Sequence, residues 1–279
     1  MNLQQYSPAG FRILPLVVKN LLIINGLCYL ATISFESAFG IDLVKLMGLH
    51  FFRSELFRPY QLVTYMFFHA DFMHILYNMF ALWMFGYLLE NVWGPRRFLT
   101  YYMLTGIGAA LIQTGAIWWD ISSIQSAAAM YVSAPSLDGF INFVKDHYPQ
   151  YFETEGTIRA FITEWSINQN NNSAFIHQSI DYVDQLIRLQ MDVPTIGASG
   201  AVYGILLAFG MMFPNMLVFI YFLFPIKAKW LVILYGAIEL FSGISKNPSD
   251  NVAHFAHLGG MVIGIFLILY WRKSTRFNG

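Results

Sequence analysis

The sequence predicts an all-α membrane protein with six transmembrane helices and a long acidic insertion between the third and the fourth. Hydrophobic residues make up 57% of the 279 residues and charged residues only 11%, whereas a soluble domain carries about a quarter of charged residues. The apolar residues fall in stretches close to the roughly 20 residues that a helix needs to cross a bilayer. Many aromatic residues, which form 18% of the chain, lie at the ends of these stretches, as in interfacial belts.

The six predicted spans are separated by polar or aromatic segments. The first span has an apolar part that is too long for a cleaved signal, so we expect a retained helix. Residues 36–68 mix aromatic and charged side chains and predict a loop that lies on the membrane or dips into it. Residues 216–226 are apolar but too short to cross alone, and we expect them to run along the membrane. The spans are predicted at about 13–35, 72–93, 98–119, 197–213, 229–244 and 252–271.

The chain is predicted to form one membrane domain, with a core of about 13–119 and 194–272 and an extracytoplasmic insertion at 120–193. The insertion holds nine acidic and three basic residues, whereas the remainder of the chain is net positive. Its Asn- and Gln-rich composition predicts a solvated loop, clearest at 168–173, with amphipathic helical pieces near 157–166 and 176–190. The single cysteine, Cys28, excludes a disulfide within one chain.

The lysines and arginines predict the orientation in the membrane. Basic clusters follow the second, fourth and sixth spans, which places them on one side if there are six spans. The first loop, which would lie on the opposite side, also has three basic residues, and this is weak evidence against that orientation. Both termini are therefore expected in the cytoplasm, with the insertion and the loop 245–251 outside. The basic residues are scattered at helix ends and form no patch for nucleic acid. The clusters are Arg96 and Arg97, Lys227 and Lys229, and Arg272, Lys273 and Arg276.

Polar and ionisable side chains inside the spans are costly in lipid and are therefore candidates for function. From the inner end of each helix, Ser199 lies about 21 Å up, and His257 and Asn78 about 22 Å. His74 and His254 lie about 28 Å and 27 Å up. A hydroxyl, an imidazole and an amide are thus predicted at one level. The fourth span is short, so the chain before it must dip inward, where it has to line a wet cavity or be buried in protein.

These groups fit nucleophilic catalysis by a serine. A neutral imidazole can take the serine proton and later return it to the leaving amine. Ser199 begins its helix, where free N–H groups and the helix dipole favour negative charge. With His74 and Asn78 as donors and Gly197 allowing close approach, an oxyanion site is outlined. Tyr203, four residues after Ser199, is expected to pack against the histidine ring.

Two histidines are candidates for the base. The depth estimate favours His257, with His254 as the alternative. No acidic side chain is expected at this depth, so the sequence predicts a Ser-His dyad rather than a triad. For the same reason neither a metal site nor a cofactor is expected.

Three motifs together resemble those of the rhomboid family of intramembrane serine proteases. The resemblance covers the six-span core and leaves the insertion unexplained. It implies Ser199 as nucleophile, His257 as general base, His74 and Asn78 at the oxyanion site, and His69 as a structural residue bonding within the first loop. The motifs are GASG at 197–200, the HxxxxHxxxN pattern of His69, His74 and Asn78, and AHxxGxxxG from Ala256 through His257, Gly260 and Gly264.

The resemblance also concerns helix ends and loops. Glu90 and Gly94 match the family's pattern after the second span. Many members carry a Trp-Arg pair in the loop before that span, where this chain has Tyr60-Gln61, which questions the loop's internal bonding. A bacterial inner membrane is the expected location.

The predicted function is hydrolysis of a peptide bond in a membrane-anchored protein substrate, near the outer face of the bilayer. The alternative is a catalytically silent rhomboid-like protein that binds membrane helices without cutting them. A transporter or channel is disfavoured, because the sequence shows no internal repeat. The Gly200-xxx-Gly204 and Gly260-xxx-Gly264 patterns predict helix packing, which we expect to bring Ser199 to His257.

Overall fold

The computed structural model describes residues 11–153, 156–168, 172–220, 223–245 and 252–277. Most of them are helical; of the predicted loops, residues 169–171 and 246–251 lie outside these ranges, whereas residues 172–173 begin a helix. In chain order the elements are α1 (Leu16–Phe39), α2 (Leu43–Met47), α3 (Gln61–Thr64), a 3-10 turn (Tyr65–Phe67), α4 (Phe72–Trp93), α5 (Pro95–Ser133), α6 (Leu137–His147), α7 (Pro149–Glu153), α8 (Thr157–Ile167), α9 (Asn172–Met191), α10 (Ser199–Met212), β1 (Leu217–Ile220), β2 (Phe224–Lys227), α11 (Ala228–Ser245) and α12 (His254–Phe277).

Within the described part of the chain, four helices are long and apolar enough to cross a membrane, namely α1, α4, α11 and the His254–Lys273 part of α12. The predicted fourth span corresponds to α10, which is apolar but has only 14 residues. The predicted third span is the first part of α5, a helix of 39 residues. The chain is thus a mostly helical, multi-pass membrane protein, and the count of six spans stays a prediction.

The helix that contains the predicted third span extends beyond residue 119. The insertion was predicted to start at residue 120, but α5 continues without a break to Ser133. Residues 120–133 contain no Gly or Pro and include an Ala-Ala-Ala run, so nothing in them stops a helix. The acidic segment therefore begins with an extension of a core helix.

Helix α10 lies in the middle of the bundle, packed against α4, α5, α11 and α12. Most of its residues are buried, as expected for a helix that is apolar on all sides. The Tyr101 hydroxyl of α5 donates to the Gly204 carbonyl at 2.8 Å, and a Cβ on Gly204 would lie 2.8 Å from Thr105 Cβ. Small residues thus let α5 and α10 pack closely, as the glycine pattern predicted.

Glu90, near the end of α4, caps the first helix. Its two carboxylate oxygens accept the N–H groups of Val17 and Val18, each at 2.8 Å. These N–H groups have no partner within α1, and its N-cap residue, Pro15, supplies no side-chain acceptor. Gly94 follows with φ 79° and ends α4. The Glu90 and Gly94 pattern therefore has a structural basis in the docking of α1 on α4.

Gln61 organises the loop between α1 and α4. Its side chain is buried, with Oε1 accepting the Arg58 N–H at 3.0 Å and the His50 N–H at 3.4 Å. Its Nε2 donates to the carbonyls of Leu46 at 3.1 Å and Leu56 at 3.0 Å. One buried amide thus joins four backbone groups, which answers the question that the missing Trp-Arg pair raised about this loop.

The same loop supports the chain that leads into α10. Leu49 and Thr195 exchange backbone hydrogen bonds at 2.9 and 2.8 Å. The Gly197 N–H donates to the Tyr65 carbonyl at 2.9 Å. The non-helical backbone before α10 is therefore paired by protein, as a segment at membrane depth requires.

The insertion has a hydrophobic core of its own, which the prediction of a solvated loop missed. The predicted amphipathic pieces correspond to α8 and α9, and they pack with α6 and the end of α5. The Tyr131 hydroxyl and Ser179 Oγ form a hydrogen bond within this core. The acidic residues dominate the composition, but one aromatic face per helix suffices to build a core. The buried aromatic members are Tyr131, Phe140, Phe143, Tyr148, Phe161, Trp165 and Phe175.

The segment between α10 and α11 is the other departure from the prediction. It forms an antiparallel β1–β2 hairpin, with Val218 opposite Ile226. The prediction of an all-α protein is therefore wrong at this hairpin. The residues concerned are mostly aromatic or β-branched, which favours extended backbone.

Candidate active site

Ser199 begins α10, two residues after a glycine in an unusual conformation. Gly197 has φ 116°, a value that side chains other than glycine rarely adopt. A Cβ at this position would lie 2.6 Å from His74 Nε2 and 3.6 Å from Ser199 Oγ. The first N–H groups of a helix have no intrahelical partner, so this turn presents free donors beside the hydroxyl.

The Ser199 hydroxyl meets an imidazole from α12. Its Oγ lies 2.7 Å from His257 Nε2, and His257 is 8% exposed. The α10–α12 contact at Gly200 and Gly260 holds these two helices close enough for that distance. Of the two candidate histidines, the structure brings His257 to the serine.

Tyr203 packs on His257. Its ring lies parallel to the His257 ring, with the centroids 4.2 Å apart and an angle of 6° between the planes. Ser199 and Tyr203 lie one turn apart on α10, so the hydroxyl and the aromatic ring reach the same imidazole. Tyr203 therefore lies where the sequence predicted, against the histidine ring.

An acidic residue that sequence reasoning missed lies beside the base. Glu239 of α11 is 5% exposed, and its Oε2 lies 2.9 Å from His257 Nδ1. The two atoms are close, but the oxygen is out of line with the ring N–H, so this contact is not a well-aligned hydrogen bond. The expectation that no acid lies at this depth is therefore wrong. Glu239 is the one acidic residue of the predicted fifth span, and that position was the available signal.

His254 is bound to the same carboxylate. Its Nδ1 lies 2.6 Å from Glu239 Oε2, and the Tyr203 hydroxyl donates to Glu239 Oε1. The donor atoms of Glu239, His254 and His257 lie within 4.8 Å of one another. Two imidazoles and a carboxylate are a possible ligand set for zinc, so the premise on which a metal was excluded is also wrong. In this structure both histidines contact the Glu239 carboxylate.

His74 and Asn78 lie on α4 across from the serine. The Ala70 N–H donates to His74 Nδ1 over a long 3.4 Å, which leaves the ring proton on Nε2, the atom beside Gly197. Asn78 is buried, and its Nδ2 donates to the His74 carbonyl at 2.9 Å. His74 thus presents a donor beside Gly197 and Ser199, and the second N–H of the Asn78 amide is not used by this hydrogen bond.

His69 is fully buried and bridges two parts of the protein. Its Nε2 accepts the Ala198 N–H over a long 3.5 Å, and its ring meets His74 edge-on at 4.9 Å. The predicted bonding partner lay within the first loop, whereas this hydrogen bond reaches the residue before Ser199. Its structural role stays a prediction.

Comparison with known proteins bears on this arrangement. The family model described as the Rhomboid domain matches residues 56–117 and 158–274, more than half of the chain. The chain belongs to the rhomboid family. The unmatched stretch between the two segments contains the end of α5 and helices α6 and α7. All the residues of the rhomboid site described above lie within the matched segments.

One curated relative is also a rhomboid protein. Rhomboid protein 1, mitochondrial, from Saccharomyces cerevisiae is 23% identical over 208 residues, which are 74% of this chain and 40% of that protein. The chain thus spans less than half the length of this relative. No solved structure matches the chain. The bacterial inner membrane stays a prediction, since the relative's name places that protein in mitochondria.

Proposed function

We propose that this chain is an intramembrane serine endopeptidase that cuts membrane-anchored proteins near the outer face of the bilayer. The observation that carries the proposal is the 2.7 Å contact between Ser199 Oγ and His257 Nε2. This distance lies within the range of a working nucleophile and base. Rhomboids are in general intramembrane serine proteases, but some members are inactive, so activity needs a test of its own.

The proposed reaction begins with transfer of the Ser199 proton to His257 Nε2, as Oγ bonds to the substrate carbonyl carbon. The carbonyl oxygen becomes an oxyanion, stabilised by the His74 Nε2–H, the Asn78 amide and the N–H groups that begin α10. His257 then returns the proton to the leaving amine, and the C–N bond breaks. Water completes the cycle by hydrolysing the acyl-serine with His257 again as base.

The proposed path of the substrate lies between α4 and α11. Both helices pack on α10 and have little direct contact with each other. Both present large apolar side chains outward, which suits a path open to lipid. Those side chains are Phe72, Met73, Leu76 and Tyr77 on α4, and Tyr235, Ile238 and Phe241 on α11.

The test is cleavage of a membrane-anchored reporter by the purified protein in liposomes. We expect two products from wild type and none from Ser199→Ala. A folded wild type that binds the reporter without cutting it would contradict the proposal and favour a silent rhomboid-like protein. Termini on the cytoplasmic side, six spans and an extracytoplasmic insertion belong to the same proposal, and cysteine accessibility from each side checks them.

A further inference from the structure

Glu239 is a buried charge with no part in the proposed reaction so far. It lies in the middle of an apolar helix, and its oxygens contact three side chains, Tyr203, His254 and His257. Burying a carboxylate costs several kcal/mol unless partners compensate for the lost water. A position this costly, next to the base, calls for a role that an apolar residue could not fill.

We propose that Glu239 is a positioning residue for His257, which acts through the base rather than on the substrate. The inference rests on the proposed function. The carboxylate keeps the ring proton on Nδ1, so that Nε2 is free to accept the Ser199 proton. When that proton arrives, His257 becomes a cation, and the negative charge of Glu239 at 2.9 Å stabilises it. Glu239 itself takes up no proton.

The contacts with Tyr203 and His254 hold the Glu239 carboxylate in place. The Tyr203 hydroxyl holds Oε1, and the same Tyr203 ring lies flat on His257. His254 holds Oε2 at 2.6 Å, the oxygen that faces His257. A small rotation of the His257 ring or of the carboxylate brings the Nδ1–H into line. His254, considered above as an alternative base, therefore supports the base instead.

Titratable groups face His257 from four helices. They are His74 on α4, Tyr203 on α10, Glu239 on α11 and His254 on α12. Glu239 is the one acidic side chain among these four. Removing the negative charge of Glu239 therefore weakens proton binding at His257. His74 and His254 continue to oppose the protonation of His257.

The experiment compares Glu239→Gln, Glu239→Asp and wild type, by the rate of fluorophosphonate labelling and reporter cleavage as a function of pH. Glu90→Gln is the matched control, because Glu90 is another buried glutamate in a span whose carboxylate accepts backbone N–H groups far from the base. Thermal unfolding checks that each variant folds. EDTA is added to one series of each.

We expect fluorophosphonate labelling of Glu239→Gln to be slower than that of wild type by up to about 100-fold. The acid limb of its pH–rate profile should move to lower pH, because the base must be neutral and now binds its proton less tightly. Glu239→Asp should recover part of the rate, Glu90→Gln should keep the wild-type profile, and EDTA should change nothing.

Three results would overturn the inference while leaving the proposed function intact, provided that wild type labels and Ser199→Ala does not. They are an unchanged rate and profile in Glu239→Gln, an equal loss without a pH shift in both Gln variants, and loss of wild-type labelling in EDTA. The last would make Glu239 a metal ligand. An unlabelled but folded wild type would instead contradict the proposed function itself.

Discussion

The backbone of Gly260 on α12 lies directly against that of Gly200 on α10. A Cβ on Gly260 would come 1.8 Å from the Gly200 carbonyl oxygen and 2.7 Å from its carbonyl carbon. Ser199 precedes Gly200, and His257 lies one turn before Gly260, so this backbone contact sets the distance between hydroxyl and imidazole. The glycines that pack α10 against α12 thus belong to the same motifs as the proposed nucleophile and base.

Gly260→Ala is therefore expected to abolish labelling of Ser199. The backbone atoms it meets cannot move aside as a flexible side chain would, so α12 must shift, at a cost of about 1–3 kcal/mol in stability. Gly115→Ala on α5 is the matched control, because nothing lies within 4 Å of a Cβ there. Full labelling in both variants would show that the contact does not set the site.

Gly197→Ala should also reduce labelling, for two reasons that a control can separate. The substitution strains a backbone with φ 116° and places a methyl group 2.6 Å from His74 Nε2. Gly40→Ala also places an alanine at a positive φ, 66°, but in the milder left-handed helical region and with no neighbour within 4 Å. We expect both to lose about 1–2 kcal/mol of stability and only Gly197→Ala to lose labelling. Equal labelling in the two would remove Gly197 from the oxyanion site.

Gln61→Met should destabilise the loop that supports α10. The substitution keeps the shape but removes the side-chain partner of the His50 and Arg58 N–H groups and of the Leu56 carbonyl, which costs about 1–3 kcal/mol for each group that water cannot reach. The Leu46 carbonyl keeps the Tyr60 hydroxyl. Tyr60→Phe is the control, since it removes one hydrogen bond of an exposed side chain. Thermal unfolding in detergent measures the difference. A Gln61→Met protein as stable as Tyr60→Phe would show that the network contributes little.

Trp165→Ala should unfold the insertion and leave the site intact. Trp165 is 1% exposed, and truncating such a side chain costs about 3–5 kcal/mol. Ile167→Ala, at a position 74% exposed, is the control. We expect faster hydrogen exchange in α6 to α9 for Trp165→Ala, with labelling of Ser199 retained. Loss of labelling would instead make the insertion part of the catalytic core.

Most of the candidate site follows from short motifs, and its less obvious members do not. Ser199, His74 and Asn78 are recognisable because polar residues in a span carry a cost that needs a reason. Glu239 carries the same cost, but no motif surrounds it, and its position beside His257 depends on how α11 packs on α10 and α12. Depth along one helix cannot give contacts between helices, so the triad-like arrangement needed the structure.

The fold divides in a similar way. Apolar length predicted α1, α4, α11 and α12 closely, because the bilayer sets a length scale. The hairpin and the aromatic core of the insertion were missed, because the composition of a segment does not show which of its side chains share one face. In α8, for example, Phe161 and Trp165 point into the core while Thr163 and Glu164 remain exposed.

The most direct test is fluorophosphonate labelling of the purified protein in detergent, with Ser199→Ala, His257→Ala and His254→Ala as variants. We predict that wild type is labelled, that Ser199→Ala and His257→Ala are not, and that His254→Ala is labelled at a reduced rate. Labelling that survives in His257→Ala but disappears in His254→Ala would assign the base to the other ring. No labelling of a folded wild type would contradict the central claim.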